Sequence, residues 1–424
     1  MSFFKKTILD NGIRVVSETH HHTKAVSIGV WISTGTRNEP ENAAGISHFL
    51  EHLVFKGTQK RSSFQIAKAL EEVGGELNAY TTREYTCYHA LILKDYWVRG
   101  LDVLADITTG MKLKKSDFEL EKSVVLQEIA ASEENHEDHI YDEYLKRIYK
   151  NSTLGLPILG TEKSISSMSL KQVYEYYRTH YIGSNIIVSC AGDIDHEELV
   201  KKVSYYFPKK FNSKNITSNF SADQFRTQKK SKGQKTVEYF PFVDMIQKPS
   251  DQIHLLTGLP AASFRDEMRF EAFIVNALLG GGMTSRLFQS IREKKGLAYT
   301  IYSSLNTFTD AGFISVYSAV EKKNLEKLIK AIHFEFFKVR EKKISTSELK
   351  LFKTQVTGSI LLGSDDVENR MTSLGVNEMA FREYKPVENV IQEIESVSLK
   401  SIANYIEKYF SNPKLALLLL GTVK

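Results

Sequence analysis

The hydrophobic positions along the chain follow two spacings, one typical of half-buried strands and one typical of amphipathic helices. Near the start, a strand pattern meets a turn at Asp10-Asn11-Gly12 and then resumes, which predicts a β-hairpin. Further along, Ser167–Gly192 has helical spacing, then a short turn, then an apolar strand. Alternating strands mixed with amphipathic helices predict an α+β fold.

This helix–turn–strand pattern occurs twice in the chain. Ser396–Gly421 follows Ser167–Gly192 at a constant offset. The residues that are identical in the two copies are Ser167, Ser169, Leu170, Lys171, Tyr176 and Gly192. We therefore expect two duplicated domains, 1–212 and 235–424, each a β-sheet packed with helices. The residues between them, 213–234, are rich in Lys, Ser, Asn and Gln and predict a polar linker.

Length and composition are those of a globular protein with more than one core. The chain has 424 residues, of which 42% are hydrophobic and 25% charged. A net charge of +5 is small for this length and does not indicate a nucleic-acid partner. The two cysteines, Cys87 and Cys190, provide no disulfide framework and favour a reducing compartment. Cys87 falls in an alternating strand pattern, so we expect a small core residue.

The hydrophobic segments do not predict a membrane protein. No apolar run reaches the length of a membrane span, so we expect no membrane partner. The first residues, MSFFKKTILDNGIRVVSE, lack the apolar stretch of a signal peptide. We expect a cytoplasmic protein or, if a targeting segment was removed, one of an organelle matrix.

The most specific motif is His48-Phe49-Leu50-Glu51-His52. Positions four apart lie on one face of a helix, so His48 and His52 can reach one metal ion. Glu51 lies near that face and can accept a proton from a water that the metal activates. The order H-x-x-E-H is that of inverzincin metallopeptidases, the reverse of H-E-x-x-H. The alternative is a surface helix that carries two histidines by chance.

A third metal ligand is expected, with a fourth position open for water. The segment 116–135 begins with the capping pattern Ser-x-x-Glu at Ser116 and predicts a helix. One stripe of this helix contains Phe118, Glu121, Val125, Glu128 and Ser132. Carboxylates on a buried stripe need partners, because an unpaired buried charge is costly, and a zinc ion is such a partner. The alternative is that the stripe faces solvent.

The chain resembles the pitrilysin family of zinc metallopeptidases, in the branch of the mitochondrial processing peptidase and its bacterial relatives. The matching segments are Gly45–Thr58, Gly74–Ala90, Glu121–Ile129 and Gly280–Tyr299, which span both halves. The resemblance implies that Glu128 is the third zinc ligand and that Glu121 supports the site from behind. One zinc per chain is expected.

The resemblance also implies substrate-binding residues. Asn78 and Ala79 match an edge segment that pairs with the peptide backbone, although an ordinary hairpin with a bulge at Asn78 is the alternative. Asp138 and Asp142 match acidic residues that receive a basic substrate side chain. The alternative is a solvated face in an acidic helix.

The C-terminal half lacks H-x-x-E-H, and its counterpart near Phe273–Ala277 is apolar. The resemblance assigns Arg292 and Tyr299 to substrate binding and oxyanion stabilisation, since both are hydrogen-bond donors. The alternative places Arg292 on the surface and Tyr299 in the core. The run Gly280–Gly282 lacks the G-K-[ST] ending of a phosphate-binding loop, which disfavours a phosphate cradle.

These observations predict a zinc endopeptidase that acts on peptides or unfolded protein segments. The intact metal motif and the Arg292/Tyr299 pair on one chain favour a self-sufficient homodimer, in which the pair acts on the partner's zinc. One alternative is a non-catalytic scaffold or core subunit of the same family. Another is a peptide-binding partner of a separate catalytic chain. Such proteins usually lack part of the metal motif.

Overall fold

The structure is a computed structural model and describes residues 3–207, 237–341, 344–411 and 414–422. Two sheet-plus-helix domains are present, which confirms the predicted α+β class. The predicted linker, 213–234, lies outside the described residues.

The strands of the described residues form two sheets. The first sheet contains β1 (Phe3–Ile8), β2 (Arg14–Thr19), β3 (Ala25–Ile32), β4 (Glu76–Thr81), β5 (Thr86–Leu93) and β6 (Ile186–Gly192). The second contains β7 (Val243–Gln247), β8 (Ile253–Pro260), β9 (Thr300–Thr307), β10 (Gly312–Val320) and β11 (Ala416–Gly421).

Helices surround both sheets. In the first half they are α1 (Ile46–Val54), α2 (Ser63–Glu71), α3 (Trp97–Thr109), α4 (Lys115–Glu134), α5 (His136–Ile148), α6 (Glu162–Ser167), α7 (Leu170–His180) and α8 (His196–Tyr206). In the second half they are α9 (Arg269–Gly280), α10 (Leu325–Glu341), α11 (Thr346–Ser364), α12 (Val367–Phe381), α13 (Val387–Ser396) and α14 (Leu399–Phe410). Of the helices in the described ranges, none combines the length and the apolar character needed to cross a membrane.

Apart from the additional strand β1 of the first, the two sheets share one topology. Their strand orders are β1-β2-β6-β3-β5-β4 and β7-β11-β8-β10-β9. In each, the last strand in the chain lies parallel to one neighbour, β2 or β7, and antiparallel to the other, β3 or β8. The repeated sequence segment forms α7 and β6 in one half and α14 and β11 in the other. The shared topology supports the predicted duplication.

The predicted N-terminal hairpin is confirmed. Strands β1 and β2 pair antiparallel, with Ile8 opposite Arg14. Gly12 in the turn has φ +89°, a left-handed conformation that glycine adopts without strain. The hairpin adds β1 as an outer strand to the first sheet.

Strand β6 lies in the interior of the first sheet, and all its residues are buried. Ile186, Val188 and Cys190 lie in the main core, whereas Ile187 and Ala191 lie in a second apolar cluster on the opposite face. A strand covered on both faces has an unbroken apolar sequence, because neither set of alternating side chains meets water. Cys87 also lies in the second cluster, with no exposed surface, as expected for a core residue.

The helix that covers this second face comes from the other sequence half. Helix α12 packs on β2, β3 and β6. Gly375 is required there, because a Cβ atom at this position would lie 2.2 Å from Cε2 of Trp31. Two buried ion pairs hold the helix: Arg370 with Glu18, and Glu378 with Arg14 at 3.3 Å.

The compact units therefore differ from the two sequence halves. The first unit runs to Ala131 and also includes Gly363–Tyr384, which contains α12. The second unit includes Ser132–Gly155, which contains α5. Helix α5, from the first half of the sequence, thus belongs to the second unit, and α12, from the second half, belongs to the first, so the exchange is reciprocal. Each of these two helices directly follows a long helix, α4 or α11. The predicted domain limits, 1–212 and 235–424, describe the sequence repeat and stay a prediction. They did not anticipate that α5 and α12 would each belong to the other unit.

Candidate metal centre and active site

Helix α1 presents both histidines and Glu51 of the H-x-x-E-H motif. The helix begins after Gly45, which has φ +89° and offers no side-chain cap. A buried carboxylate from an earlier segment replaces the cap: Glu39 accepts the backbone N–H groups of Gly45 at 2.6 Å and Ser47 at 2.8 Å. A carboxylate at this end of a helix satisfies free N–H groups and complements the helix dipole.

The expected third ligand lies beside the two histidines. The Nε2 atoms of His48 and His52 are 3.8 Å and 3.5 Å from Oε2 of Glu128. One potential ligand atom from each residue lies within 4.8 Å of the other two. Tetrahedral zinc with bonds of about 2.1 Å separates its ligand atoms by about 3.4 Å. The donor set and the distances therefore fit a zinc ion.

His48 has the protonation state that a metal requires. Burial, aided by the nearby charge of His52, lowers the pKa of His48 to about 4. The imidazole is therefore neutral near pH 7, with a ring nitrogen lone pair available for coordination. Zinc binding at this position needs no proton release from His48.

Behind the ligands, Glu121 is almost fully buried, with 2% of its surface exposed. Its carboxylate accepts a hydrogen bond from Nδ1 of His52 at 3.1 Å and pairs with Nζ of Lys56 at 2.5 Å. The first contact leaves Nε2 of His52 facing Glu128. Such a carboxylate fixes the ring orientation of a metal-binding histidine and raises its basicity.

Helix α4 carries both carboxylates as the stripe pattern predicts. Phe118, Glu121 and Val125 are buried, whereas the Glu128 side chain is 39% exposed. The alternative of a wholly solvated stripe is therefore wrong. The predicted cap is also wrong: the helix begins at Lys115, so Ser116 lies in its first turn and not before it. Helix ends are the least certain part of a sequence-based prediction, because several capping patterns compete.

Glu51 has a hydrogen-bond partner on the neighbouring strand β4. Its carboxylate accepts a hydrogen bond from Oγ1 of Thr81 at 2.5 Å. Burial raises the pKa of Glu51, while the Thr81 hydrogen bond and the nearby His52 oppose that rise. Glu51 is thus a buried carboxylate on the helix that carries both histidines.

The predicted peptide-pairing segment is an edge strand. Asn78 and Ala79 belong to β4, which ends the strand order of the first sheet. The register with β5 is continuous, with Asn78 opposite His89, so the alternative of a bulge at Asn78 is wrong. Among the described strands, none pairs with the outer side of β4. An open edge is what an added peptide strand needs.

The other predicted residues belong to the second unit. Arg292 lies in a π-helical turn, Phe288–Glu293, with its guanidinium 4.5 Å from the ring centre of Tyr299. Tyr299 is 79% exposed, so the alternative of a core tyrosine is wrong. Asp138 and Asp142 lie on α5, where Asp138 is exposed and Asp142 partly buried. All four residues therefore lie in the second compact unit.

The glycine run Gly280–Gly282 lies at the C-terminal end of α9 and precedes a second helical segment that begins at Arg286. Helix α9 ends at Gly280. Phosphate binds to the free N–H groups of a helix N-terminus, whereas the C-terminus presents carbonyl oxygens. The end of α9 therefore does not favour a phosphate cradle, and the run also lacks the G-K-[ST] ending of a phosphate-binding loop.

Comparison with protein families identifies the chain. The family described as "Insulinase (Peptidase family M16)" matches residues 14–162, and "Peptidase M16 inactive domain" matches residues 167–356. The chain belongs to the M16 peptidase family. The resemblance to the pitrilysin family is thereby confirmed. The first match covers the H-x-x-E-H motif and Glu128, and the second covers Arg292 and Tyr299.

Relatives of this M16 chain are named zinc proteases. An uncharacterized zinc protease of Streptomyces coelicolor is 34% identical over 93% of this chain and 84% of the relative. The uncharacterized zinc protease YmxG of Bacillus subtilis is 32% identical over 96% of each chain.

Solved structures share the fold. A protease from Helicobacter pylori has a TM-score of 0.89 at 19% identity, covering 99% of this chain and 100% of that one. A peptidase M16 inactive domain from Pseudomonas fluorescens has a TM-score of 0.86 at 17% identity, with 99% and 98% covered.

Three supporting residues of this M16 chain were not predicted: Glu39, Lys56 and Thr81. Glu39 precedes Pro40 and a helix start, and an acidic residue at that place was an available signal. Lys56 follows His52 by four residues, a spacing that could have suggested a partner for a nearby carboxylate. Nothing in the local pattern around Thr81 indicated its contact with Glu51.

Proposed function

We propose that this M16 chain is a zinc-dependent endopeptidase that hydrolyses peptides or unfolded protein segments. The observation that carries the proposal is the convergence of His48, His52 and Glu128 within 4.8 Å, with Glu51 on the same helix. Zinc, when bound, supplies a Lewis acid that lowers the pKa of a coordinated water to about 7.

The chain's own residues define the proton path. Glu51 accepts a proton from the attacking water and later returns it to the leaving amine. Glu121 and Lys56 hold the His52 ring in place from behind. Glu39 fixes the first turn of the helix that carries both histidines and Glu51. Metal binding, orientation of the ligands and proton transfer are thus divided among different side chains.

Substrate binding is proposed at the open edge of the first sheet. A peptide paired with Asn78 and Ala79 would be recognised through its backbone, which suits a peptidase of broad sequence tolerance. Asp138 and Asp142 would receive a basic side chain of the substrate through charge-assisted hydrogen bonds.

Assembly as a homodimer is part of the same proposal. Family resemblance suggests that Arg292 and Tyr299 of one chain serve the metal centre of its partner. Both side chains donate hydrogen bonds, and the exposed Tyr299 hydroxyl suits a role outside its own core. A closed twofold dimer would then contain two equivalent sites.

The test is incubation of purified protein with a peptide library, with and without a chelator, followed by mass spectrometry. We expect cleavage that stops on chelation and returns when zinc is restored. Glu51→Gln is the matched control, because it keeps every proposed ligand and removes the proton acceptor. Absence of chelator-sensitive cleavage in the zinc-loaded protein would favour the non-catalytic scaffold alternative.

A further inference from the structure

A hydrogen bond from a neighbouring strand reaches the Glu51 carboxylate. Thr81 ends β4 and is only 9% exposed. Its Oγ1 donates to Oε2 of Glu51 at 2.5 Å. Helix α1 packs on β4, so the contact joins two packed elements across a long sequence separation.

The Thr81 side chain is closely packed against the neighbouring strand. Thr81 lies opposite Thr86 on the neighbouring strand β5, with their Oγ1 atoms 3.4 Å apart. Because Thr86 donates its own proton to the carbonyl oxygen of Thr34 at 3.3 Å and Thr81 donates to Glu51, this contact is one of packing and not a hydrogen bond. β-Branched side chains also have few χ1 rotamers, so the Thr81 hydroxyl cannot easily turn away from Glu51.

Glutamate, by contrast, has a long side chain with several rotamers. A proton acceptor must lie within hydrogen-bond distance of the water that it deprotonates. A displacement of about 1 Å in a catalytic group can reduce the rate about 100-fold. A donor on a rigid strand is therefore a way to keep the carboxylate in one position.

We propose that Thr81 is a positioning residue for Glu51, tying the proton acceptor to the edge strand that binds the substrate. The inference rests on the proposed peptidase function. Asn78 and Ala79, the proposed peptide-pairing residues, precede Thr81 on the same strand. The Thr81 hydrogen bond thereby holds the Glu51 carboxylate at a fixed position relative to a peptide that pairs with β4.

The experiment compares Thr81→Val with Thr81→Ser in the full-length, zinc-loaded protein. Valine keeps the shape and removes the hydroxyl, whereas serine keeps the hydroxyl. We expect kcat to fall roughly 10- to 100-fold for Thr81→Val, with KM changed less than about threefold and zinc content retained. Thr81→Ser should recover most of the kcat. Thr36→Val is the matched control, because Thr36 is a buried threonine whose hydroxyl has no hydrogen-bond partner among the described residues.

A second readout does not depend on activity. Crystal structures of the metal-free parent and Thr81→Val proteins should show Glu51 in one rotamer in the parent and displaced or in several rotamers in the variant. If Thr81→Val fails to fold, Thr81→Ala replaces it in both measurements. An unmoved Glu51, an unchanged kcat or an equal loss in Thr81→Ser would overturn the proposal. If the parent protein cleaves no peptide, the proposed function fails, while the crystal structures still decide whether Thr81 positions Glu51.

Discussion

At the residue scale, Glu121 and Glu128 lie two turns apart on one helix but have different surroundings. Glu121 is 2% exposed and has two cationic or hydrogen-bonding partners, His52 and Lys56. The Glu128 side chain is 39% exposed and faces the Nε2 atoms of both histidines. The buried carboxylate is therefore suited to orient a ligand, and the accessible one to bind the metal.

Glu128→Gln should strongly weaken zinc binding. The amide has no negative charge and is a poor zinc ligand, so we expect affinity to fall by more than the roughly 10- to 100-fold typical of a lost supporting residue. Elemental analysis and competition with a chelator measure the change. Glu119→Gln, an exposed glutamate on the same helix, is the matched control. Full zinc content in Glu128→Gln would assign the third ligand to another residue.

Glu51→Gln should separate metal binding from chemistry. The variant keeps all three proposed ligands but cannot accept a proton, so we expect normal zinc content and peptide binding with kcat at least ~100-fold lower. Elemental analysis, peptide binding by fluorescence anisotropy and single-turnover cleavage provide the three measurements. Near-normal turnover would exclude Glu51 as the proton acceptor.

At the scale of elements, helix α12 is held on the first sheet by buried charges. Glu18 pairs with Arg370 and is 2% exposed. Burial alone would raise its pKa, but hydrogen bonds from His20 and Arg370 leave the pKa of Glu18 at about 2. This folded value lies below the ordinary value of 4.5. The ionised carboxylate therefore stabilises the fold above about pH 4.5, and the stabilisation decreases as the pH falls towards 2.

Glu18→Gln should destabilise the first unit most strongly at neutral pH. A shift from 4.5 to about 2 corresponds to about 3 kcal/mol in the free energy of unfolding. Urea unfolding can be followed by Trp31, which is buried beneath α12, in a Trp97→Phe background. We expect the difference between parent and Glu18→Gln to shrink by roughly half between pH 6 and pH 3.

A suitable control for that measurement is Glu197→Gln. Glu197 forms an exposed pair with Lys5 and should change the stability little at either pH. A difference between parent and Glu18→Gln that does not depend on pH would mean that the Glu18–Arg370 pair does not control docking of α12.

Helix α5 provides a test of substrate preference. If Asp138 and Asp142 receive a basic side chain, peptides with Arg near the cleaved bond should be favoured. Replacing both with Asn should remove this preference while cleavage of neutral peptides continues. Library cleavage read by mass spectrometry measures it, with Glu134→Gln as an exposed acidic control. No enrichment of basic residues around the sites cut by the parent enzyme would refute the assignment.

At the scale of the whole molecule, the second unit repeats the topology of the first without the H-x-x-E-H motif. Its helix α9 carries the apolar segment Phe273–Ala277, the sequence counterpart of the histidine motif. A duplicated unit that lost its metal ligands can retain a role in substrate binding, and the pair Arg292 and Tyr299 is its proposed contribution.

Mixing two inactive variants should restore activity if the pair acts in trans. Glu51→Gln chains and Tyr299→Phe chains are each expected to be nearly inactive. A mixed dimer would contain one site that joins an intact Glu51 to an intact Tyr299. Peptide cleavage after subunit exchange, confirmed by native mass spectrometry of differently tagged chains, measures the recovery. If exchange occurs and no activity returns, the trans arrangement is wrong.

Local patterns in the chain were enough to predict the class of fold, the repeat and the central motif. Helical periodicity places His48 and His52 on one face wherever the helix lies, because the geometry is local. The stripe on α4 likewise predicted that Glu121 and Glu128 share a face. The repeated segments near Gly192 and Gly421 predicted the duplication that the two sheets display.

Folding in three dimensions selected the distant residues that support the site and the helix that covers each sheet. The contact between Thr81 and Glu51 joins side chains of a strand and a helix far apart in the chain, which no local pattern encodes. The exchange of α5 and α12 between units is also invisible in the sequence, since an amphipathic helix specifies that a face is buried but not against what. Such partners are selected by packing and charge complementarity between segments far apart in the chain, which exist only once it has folded.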